Sequence, residues 1–472
     1  MGTAVKIGVI GAGSAVFSLG LIRDLCLQES LWGSTVSFVD LDPERLEMIH
    51  RLATRYAAEL GVDLRFEQAF DRTAALRDAQ FVINTAARSH ADEESDRAVG
   101  EQNGYYRGIR ICTYRNLALM LAVARDVERV CPAAWLIQSG NPVFDGCTLM
   151  TREVPGVRVI GLCHGHYGYR EIAGVLGLDP DRVRCLAPGL NHCIFAMRLE
   201  HDGQDLYPVL DEWIANRAEE YWASYQPEYH ENQMSRGAID LYRLLGLMPI
   251  GDTVRITGWR YHVDLATKKH WFGPLGGFDS EIGWARYLGR LSERVERIFR
   301  AAADPSTKVT EAFPPTRTSE QQVPIIDALV NNHRGEFQVN VPNRGAIEGI
   351  PDDVVVEVPA VISGWGVQPI QVGALPRRIM LHTILPKVLE MERNLEAFRS
   401  GDRRMLLSVL LWDHRTRSVE QAEAQIEAIL AQPHNRDMAE HFRRGAPTAA
   451  SGEAVDRAVA RGLHGPVAAT GP

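Results

Sequence analysis

The sequence contains no apolar run that could cross a membrane and no excess of basic residues. A membrane span needs about 18 consecutive apolar residues, and no such run occurs in the 472 residues. Lysine and arginine number 51 against 60 aspartates and glutamates, so the formal net charge is −9, whereas proteins that bind nucleic acids usually carry a basic surface. We therefore expect that neither a membrane nor a nucleic acid is a partner.

Cysteine is also scarce, and its seven copies are scattered along the chain. Disulfide frameworks of secreted proteins instead use paired cysteines in short chains. The first residues lack the charged segment and cleavage site of a signal peptide. These absences favour a cytoplasmic protein with reduced thiols. The composition is otherwise that of an ordinary globular chain, 45% hydrophobic and 24% charged, and its length suggests two or three domains.

The first part of the chain alternates short apolar runs with helical patterns. Apolar side chains recur at helical spacing over residues 42–60 and 117–130. Strands that alternate with helices are typical of a doubly wound parallel sheet. We therefore predict an α/β fold with a Rossmann-like sheet. Its strands are predicted at residues 6–10, 35–40, 81–84, 134–138 and 158–162.

The later part of the chain has a different pattern. It contains long helical stretches, such as 207–225, and a β-rich segment around 337–375. We predict an NAD-binding domain over 1–195 and an α+β domain for substrate, metal and oligomer contacts over 196–445. Alanine, glycine and proline dominate residues 446–472, which we expect to form a disordered tail.

A dinucleotide-binding pattern opens the chain. Gly11-x-Gly13 lies between a predicted strand and helix, where small residues let the backbone approach a pyrophosphate. The third glycine of the usual pattern is replaced by Val16. Asp40 ends the second strand, where a carboxylate accepts hydrogen bonds from ribose hydroxyls and repels a 2′-phosphate. We predict NAD as cofactor, in preference to a tight turn with an acidic N-cap. Its predicted contacts are Gly11, Gly13, Ser14, Ala15, Val16, Phe17, Asp40 and Asn84.

Two further motifs follow neighbouring predicted strands. Ser139-Gly140-Asn141-Pro142 follows one strand and Cys163-His164-Gly165-His166 the next, so both belong at the carboxyl edge of the sheet. A thiolate from Cys163 and an imidazole from His192 are ligands that suit a divalent transition metal. Two ligands do not complete a site, so substrate oxygens would have to do so. On spacing alone, a packed cysteine and a surface histidine are the commoner explanation.

The motifs KIGVIGAGS, GNP, CHGHYG, LNH and PIGDTVR, in this order, resemble family 4 of the glycoside hydrolases. That family contains NAD- and manganese-dependent glycosidases, and the resemblance covers roughly residues 5–435. CHGHYG, MPIGDTVR, DSEIGW and VNVPNRGAIEGIPDDVVVEVP resemble its α-glucuronidase branch in particular. The resemblance implies NAD and Mn²⁺ as cofactors, a small uronic-acid glycoside as substrate, and a homodimer or homotetramer.

The resemblance also implies roles for individual residues. Cys163 and His192 would hold Mn²⁺, and Asn141 would hydrogen-bond the sugar hydroxyls. Oxidation at C3 by NAD⁺ makes the C2 proton acidic, so that a base can remove it. Asp252 would be this base. His164 would protonate the leaving oxygen during elimination, and water would then add at C1.

Some assignments stay open at the level of sequence. Tyr242 or Tyr261 could replace Asp252 as the base, since some family members use a tyrosine.

A uronate carboxylate suits a guanidinium partner, and Arg255 is the first choice for that contact. His166 is a further candidate for substrate binding. We expect Lys268 and Lys269 to be solvated surface cations.

Several functions are consistent with these residues. The leading hypothesis is an α-glucuronidase that acts on small glucuronosides. An α-galacturonidase or a neutral-sugar α-glycosidase of the same family is the first alternative. A malate- or lactate-type dehydrogenase shares the Rossmann-like start but needs no cysteine–metal pair. A non-catalytic NAD sensor would not need Cys163, His192 and Asp252 together.

Overall fold

A computed structural model describes residues 2–87, 89–109, 111, 113–230, 233–257 and 259–444. The predicted tail, residues 446–472, lies outside these ranges. The strands of the described residues are β1 Lys6–Ile10, β2 Thr35–Val39, β3 Arg65–Ala69, β4 Phe81–Asn84, β5 Trp135–Gln138, β6 Arg158–Gly161, β7 Val183–Leu186, β8 Gly189–Leu190, β9 Cys193–Phe195, β10 Arg198–His201, β11 Gln204–Asp205, β12 Pro249–Ile250, β13 Gly335–Pro342, β14 Val355–Ser363 and β15 Gly366–Pro369.

Helices connect and cover these strands. They are α1 Ala15–Cys26, α2 Pro43–Leu60, α3 Arg72–Leu76, α4 His90–Gln102, α5 Tyr114–Val130, α6 Val143–Glu153, α7 Gly168–Val175, α8 Tyr207–Asn216, α9 Ala218–Ser224, α10 Arg236–Leu245, α11 Thr253–Thr257, α12 Leu265–Phe272, α13 Glu281–Ala303, α14 Val309–Ala312, α15 Gln322–Asn331, α16 Arg377–Ile379, α17 Leu385–Ser400, α18 Arg403–Leu411, α19 Val419–Leu430 and α20 Arg436–Arg444. Short 3₁₀ turns span Glu29–Leu31, Gly165–Tyr167, Pro180–Arg182, Trp259–Tyr261 and Pro433–Asn435, and a π-helical turn spans Met380–Ile384.

The first six strands form a parallel sheet in the order β3-β2-β1-β4-β5-β6. This is the doubly wound order, in which the chain reverses direction beside β1. β1, β2 and β4 are buried almost throughout, as expected for parallel strands that are covered on both faces. The predicted Rossmann-like sheet is therefore confirmed.

Helix α2 illustrates how local sequence sets an element's ends. The Asp42 carboxylate accepts hydrogen bonds from the N–H groups of Glu44 and Arg45, and Pro43 occupies the first turn, where its missing N–H costs nothing. Gly61 ends the helix with φ +66°, a left-handed conformation that glycine adopts without strain. Because these signals lie within the helix itself, the sequence predicts the helix almost to the residue.

The second half of the chain extends the same sheet with antiparallel strands. β13 pairs with β6 where Asn340 faces Gly161, and it pairs with β14 over its whole length. β14 then pairs with β8 and with β15, and the sheet continues through β9 to β12. One twelve-stranded sheet therefore runs through both halves, while β7, β10 and β11 form a separate small sheet.

The predicted α+β character of the second half is also confirmed. β13 and β14 lie in the predicted β-rich segment, and helices fill most of the remaining chain. The helix predicted over 207–225 is instead two helices, because the backbone of Arg217 leaves the helical conformation between them. The division into domains at residue 195 stays a prediction. Within the described residues, no helix is both long and apolar enough to span a membrane.

Candidate active site

The turn between β1 and α1 is built around two glycines that no larger residue could replace. A Cβ at Gly11 would lie 2.6 Å from the Ala86 nitrogen, and Gly11 has φ +85°. A Cβ at Gly13 would lie 2.7 Å from the Asp40 carboxyl carbon, and the Gly13 N–H donates to Asp40 Oδ2 at 2.7 Å. The glycines thus bring the turn directly against the end of β2.

The start of α1 and the Asp40 side chain both face this edge. Ser14 is the N-cap residue but makes no capping hydrogen bond with its side chain, and the first turn holds no acidic residue. The exposed N–H groups of such a turn attract anions. Asp40 Oδ1 accepts the Asp42 N–H at 3.0 Å, and each carboxylate oxygen keeps a further acceptor position.

Asn84 ends β4, and its contact with the cofactor stays a prediction. Its side chain is fully buried, donates to Gln138 Oε1 at 2.9 Å and accepts the Ala86 N–H at 3.3 Å. It therefore joins the ends of β4 and β5. Two apolar residues that the sequence analysis missed, Leu41 and Phe70, are 102% and 77% exposed beside Asp40. In the sequence, the signal for Leu41 was its place directly after Asp40, the acid that ends the second strand.

Cys163 lies beyond the end of β6 and is a free thiol. Its sulfur accepts the Gly165 N–H at 3.4 Å. Burial is the main reason that the pKa of the Cys163 thiol is raised, and the carboxyl groups of Glu357 and Asp252 add to the effect. Hydrogen bonds from Gly165 and Asn191 act against it. Without a cation beside it, this sulfur therefore keeps its proton at neutral pH.

His192 and Asp252 meet beside Cys163. His192 occupies the turn between β8 and β9 with φ +61°, and its Nε2 lies 3.7 Å from Asp252 Oδ2. The other Asp252 oxygen pairs with Arg255. Burial by itself would raise the pKa of the Asp252 carboxyl, but the charges of Arg255 and His192 outweigh it and hold that pKa well below its usual range. Asp252 is therefore an ionised carboxylate at neutral pH.

The two histidines of the CHGH motif have different surroundings. The His164 side chain is 74% exposed, with Nδ1 3.6 Å from Glu320 Oε1. His166 is partly buried, and its Nδ1 lies 3.1 Å from the Cys163 carbonyl oxygen. Burial lowers the pKa of His166 to about 4, so the ring is neutral and Nδ1 donates to this carbonyl. Nε2 is then left as an acceptor.

Asn141 is exposed at the same edge. Its backbone carbonyl accepts a hydrogen bond from Asn116 Nδ2 at 2.9 Å, and the Asn141–Pro142 peptide bond is cis. The Ser139 hydroxyl next to this motif accepts a hydrogen bond from Gln322 Nε2 at 3.0 Å. Helix α15 therefore holds the turn in place.

Basic side chains gather on the far side of Asp252. Arg255 Nη1 lies 3.5 Å from Asp279 Oδ1, and its guanidinium stacks on Phe278 at 4.7 Å. Arg107, which follows α4, donates its Nε to the Asp279 carbonyl at 2.9 Å. Arg107 Nη2 is buried and has no hydrogen-bond partner among the described residues. The sequence analysis did not select Arg107; the signal was the arginine-rich stretch between Asn84 and Tyr114.

Lys268 is buried, which corrects the expectation of a solvated surface cation. It is 1% exposed, and its Nζ lies 2.8 Å from His262 Nδ1. Burial and the nearby ammonium group lower the pKa of His262 to about 3, so the neutral ring can accept from Lys268. The Lys268 ammonium group also lies over the Phe272 ring, 5.5 Å from its centroid. Lys269 is exposed, as predicted.

The tyrosines considered as alternative bases do not reach Asp252. Tyr242 donates its hydroxyl to Asp211 at 2.8 Å. Tyr261 is fully buried and donates to Asp240. Burial raises the pKa of each tyrosine, and its acidic partner raises it further. Both hydroxyls are therefore engaged by other carboxyl groups, and the choice of Asp252 as the base stays a prediction.

The Cys163 sulfur is a soft metal donor and the His192 imidazole is a borderline one. The ionised Asp252 carboxylate lies nearby. Thiolate and imidazole suit late first-row transition metals, while carboxylate and hydroxyl oxygens suit Mn²⁺. Among the described residues, no group of three or more His, Cys, Asp or Glu side chains is arranged to hold a metal ion. The donor set thus fits a metal whose remaining positions are filled by a ligand.

Comparison with known proteins identifies the family. Residues 6–177 match the model of "Family 4 glycosyl hydrolase", and residues 187–416 match that of its C-terminal domain. An alpha-glucosidase from Erwinia rhapontici is 26% identical over 87% of this chain and 94% of its own. An alpha-galacturonidase from Lachnoclostridium phytofermentans is 23% identical over 90% and 95%, respectively.

The fold is shared with a solved structure of that family. A 6-phospho-alpha-glucosidase from gut microorganisms, in complex with NAD and Mn²⁺, superposes with a TM-score of 0.73 at 17% identity, over 92% of this chain and 99% of its own. The chain belongs to family 4 of the glycosyl hydrolases.

Proposed function

We propose that this chain is an NAD- and Mn²⁺-dependent α-glucuronidase that hydrolyses small α-glucuronosides. The observation that carries the uronide specificity is the convergence of Arg255 and Arg107 on Asp279, directly beside Asp252. A guanidinium fork matches a carboxylate better than it matches a neutral hydroxyl. Arg107 Nη1 lies 3.5 Å from Glu101 Oε1, whereas its Nη2 is buried without a hydrogen-bond partner among the described residues and is the donor left for a ligand carboxylate.

The first sheet edge would hold NAD. Gly11 and Gly13 allow the close approach that a pyrophosphate needs, and the first turn of α1, Ser14 to Phe17, would face it. Asp40 would accept from the ribose hydroxyls and disfavour a 2′-phosphate. The exposed Leu41 and Phe70 would cover the adenine. Asn84, being buried, would act by holding the strand ends in place.

Cys163 and His192 would hold Mn²⁺, and sugar hydroxyl oxygens would complete its ligands. When bound, NAD⁺ would supply reversible oxidation at C3, and the metal would supply Lewis-acid stabilisation of negative charge on the sugar oxygens. Burial and the neighbouring carboxyls raise the pKa of the Cys163 thiol, so metal binding would release its proton. Since Cys163 must then stay a free thiol, we place the enzyme in a reducing compartment such as the cytoplasm.

The remaining site residues would bind the sugar and move protons. Asp252, ionised and next to His192, would accept the C2 proton. Asn141 would orient the sugar hydroxyls, and His164, exposed beside Glu320, would donate to the leaving oxygen. His166 would offer its Nε2 as an acceptor to a substrate hydroxyl.

An α-galacturonidase is the second candidate function. The two uronates differ only in the orientation of the C4 hydroxyl, so the arginine pair suits both equally. Relatives named alpha-galacturonidase and alpha-glucosidase both match most of the chain, so the support for this candidate over a neutral-sugar enzyme comes from the arginine pair.

We also infer that the chain forms a homodimer or homotetramer. Leu381, Leu389 and Trp412 are exposed apolar side chains near α17, and Arg393 stacks on Trp412 at 5.0 Å. An apolar face of this kind is typical of protein–protein contacts. Light scattering of the purified chain measures the oligomer directly.

A substrate panel tests the proposed function. Purified enzyme with NAD⁺, Mn²⁺ and a thiol reductant is given matched α-glucuronosides, α-galacturonosides and α-glucosides. We expect the glucuronoside to be hydrolysed fastest and solvent deuterium to appear at C2 of the released sugar. Equal turnover of the neutral glucoside would refute the uronide specificity, and activity that survives removal of both NAD and metal would refute the mechanism.

A further inference from the structure

A buried carboxyl group stands behind Cys163 and is used by none of the steps above. Glu357 lies on β14, opposite Gly189 of β8 and Asn340 of β13, and is 1% exposed. Its Oε2 accepts hydrogen bonds from Asn191 Nδ2 at 3.0 Å and from Asn340 Nδ2 at 3.4 Å. Burying a carboxyl group is costly even when it is hydrogen-bonded, so its position calls for an explanation.

Asn191 connects this carboxyl group to the site. Its side chain is buried and donates to Glu357 Oε2 at 3.0 Å, and it lies near enough to the Cys163 sulfur to act on the pKa of that thiol. It also directly precedes His192, whose left-handed backbone with φ +61° is uncommon for a residue other than glycine and needs support from its surroundings. One buried carboxamide therefore lies beside one candidate metal ligand and directly precedes the other in the turn.

A carboxyl group suits this place better than an amide would. Oε2 faces the NH₂ groups of both Asn191 and Asn340 and accepts from each, as a carboxyl oxygen can and an amide nitrogen cannot. The Asn191 side chain must therefore turn its NH₂ group toward Glu357, and its second N–H is then available to the sulfur. A glutamine at position 357 would allow the opposite orientation as well.

We propose that Glu357 and Asn191 are positioning residues that set the Cys163 sulfur and the His192 turn for metal binding. Glu357 fixes the orientation of the Asn191 carboxamide, and Asn191 fixes both ligands. This inference rests on the proposed function, in which Cys163 and His192 hold Mn²⁺. Groups that orient metal ligands in this way typically contribute 10- to 100-fold to metal affinity.

The experiment measures Mn²⁺ affinity of the full chain through the electron paramagnetic resonance signal of free Mn²⁺. The variants are Glu357→Gln, which keeps the shape, and Asn191→Ala, which removes the bridge. Asn343→Ala is the matched control, because Asn343 is equally buried but hydrogen-bonds only the backbone of Ile347 and Ile350. Melting temperature, NAD⁺ affinity and the cobalt–thiolate absorption band of the Co²⁺-loaded protein are recorded in parallel.

We expect Glu357→Gln to weaken Mn²⁺ binding about 10-fold and Asn191→Ala about 10- to 100-fold. Both should weaken the cobalt–thiolate band while NAD⁺ affinity stays within about 2-fold, and Asn343→Ala should lower only the melting temperature. Wild-type Mn²⁺ affinity in the folded Glu357→Gln protein would overturn the proposal. An equal loss of affinity in Asn343→Ala would also overturn it, since the effect would then be one of general stability.

A Cys163→Ser protein separates this inference from the proposed function. If Cys163→Ser loses Mn²⁺ binding but Glu357→Gln and Asn191→Ala keep it, only the positioning role is refuted. If Cys163→Ser binds Mn²⁺ as well as the wild type does, the metal assignment is refuted, and the positioning role is refuted with it.

Discussion

Two regions along the sheet are assembled in different ways. The dinucleotide edge is the proposed NAD site around Gly11, Gly13 and Asp40. The Cys163 cluster consists of Cys163, His192 and Asp252. At the first, backbone groups make the contacts, and Gly13 and Asp40 are 27 residues apart. At the second, side chains from distant segments meet, and Asn191 reaches Glu357 across 166 residues. A site made by one turn and one strand end depends on local sequence. A site made by strand pairing depends on the whole sheet.

The largest expected effect comes from Cys163→Ser. Because a hydroxyl is a much poorer metal ligand than a thiolate, we expect kcat/KM to fall at least about 100-fold. NAD⁺ affinity should stay close to that of the wild type, since the dinucleotide edge is built separately. Steady-state kinetics and an NAD⁺ titration check both parts.

Cys185→Ser is the control, since Cys185 is a free thiol on β7 outside the site. Unchanged turnover in Cys163→Ser would contradict the ligand role. A large loss of NAD⁺ affinity would contradict the separation of the two regions.

Gly13→Ala should have the opposite effect to Cys163→Ser, because it should weaken NAD⁺ binding and leave Mn²⁺ binding intact. Its methyl group would lie 2.7 Å from the Asp40 carboxyl carbon, and such overpacking costs about 1–3 kcal/mol. We expect NAD⁺ to bind about 10- to 100-fold more weakly while Mn²⁺ affinity is kept. Gly174→Ala is the matched control, because a Cβ at Gly174 meets nothing within 4 Å. Wild-type NAD⁺ affinity in Gly13→Ala would show that this turn does not hold the cofactor.

A smaller and more selective effect is expected from Arg107→Ala. Loss of a charge-assisted hydrogen bond costs about 1.5–3 kcal/mol, so KM for a glucuronoside should rise roughly 10-fold or more. Any residual turnover of a neutral glucoside should not change. The exposed Lys269→Ala is the control for loss of a positive charge. If KM rises equally for charged and neutral substrates, Arg107 does not recognise the carboxylate.

The last prediction concerns stability. The substitution should leave the affinities for NAD⁺ and Mn²⁺ unchanged. Asp145 lies in α6, next to the Asn141 turn, and burial together with Glu390 raises its pKa to about 6, against about 3.9 in an unfolded chain. Between these values the folded protein retains a proton that the unfolded chain has lost. Its contribution to stability is therefore present below about pH 4 and is lost as the pH rises through 6.

Asp145→Asn should remove this loss. We expect its gain in unfolding free energy over the wild type to grow by up to about 3 kcal/mol between pH 4 and pH 7. Denaturant unfolding across that range measures it, with the exposed Asp437→Asn as control. A difference that does not change with pH would contradict the role of this carboxyl.

The difference between the two regions also explains which features the sequence could predict. The strands around Gly11 and Asp40 follow from local patterns, and helix α2 follows from its own capping residues. Cys163 and His192 are predicted as a ligand pair from the edge of the parallel sheet, whereas Asp252 joins them only through the family motifs. Glu357 and Arg107 were missed, because β14 pairs with β8 from far along the chain and because an arginine-rich stretch has no periodicity. Lys268 was misjudged, because its exposure depends on packing against His262.

The pairing of β6 with β13 also bears on folding during synthesis. Gly161 must wait for Asn340, 179 residues later, before its strand gains a neighbour on that side. At a synthesis rate of 5–20 residues per second, this takes on the order of 10 to 40 seconds. During that time the nascent first half presents an open strand edge to other chains. We therefore expect the yield of folded protein to fall when synthesis of the second half is slowed.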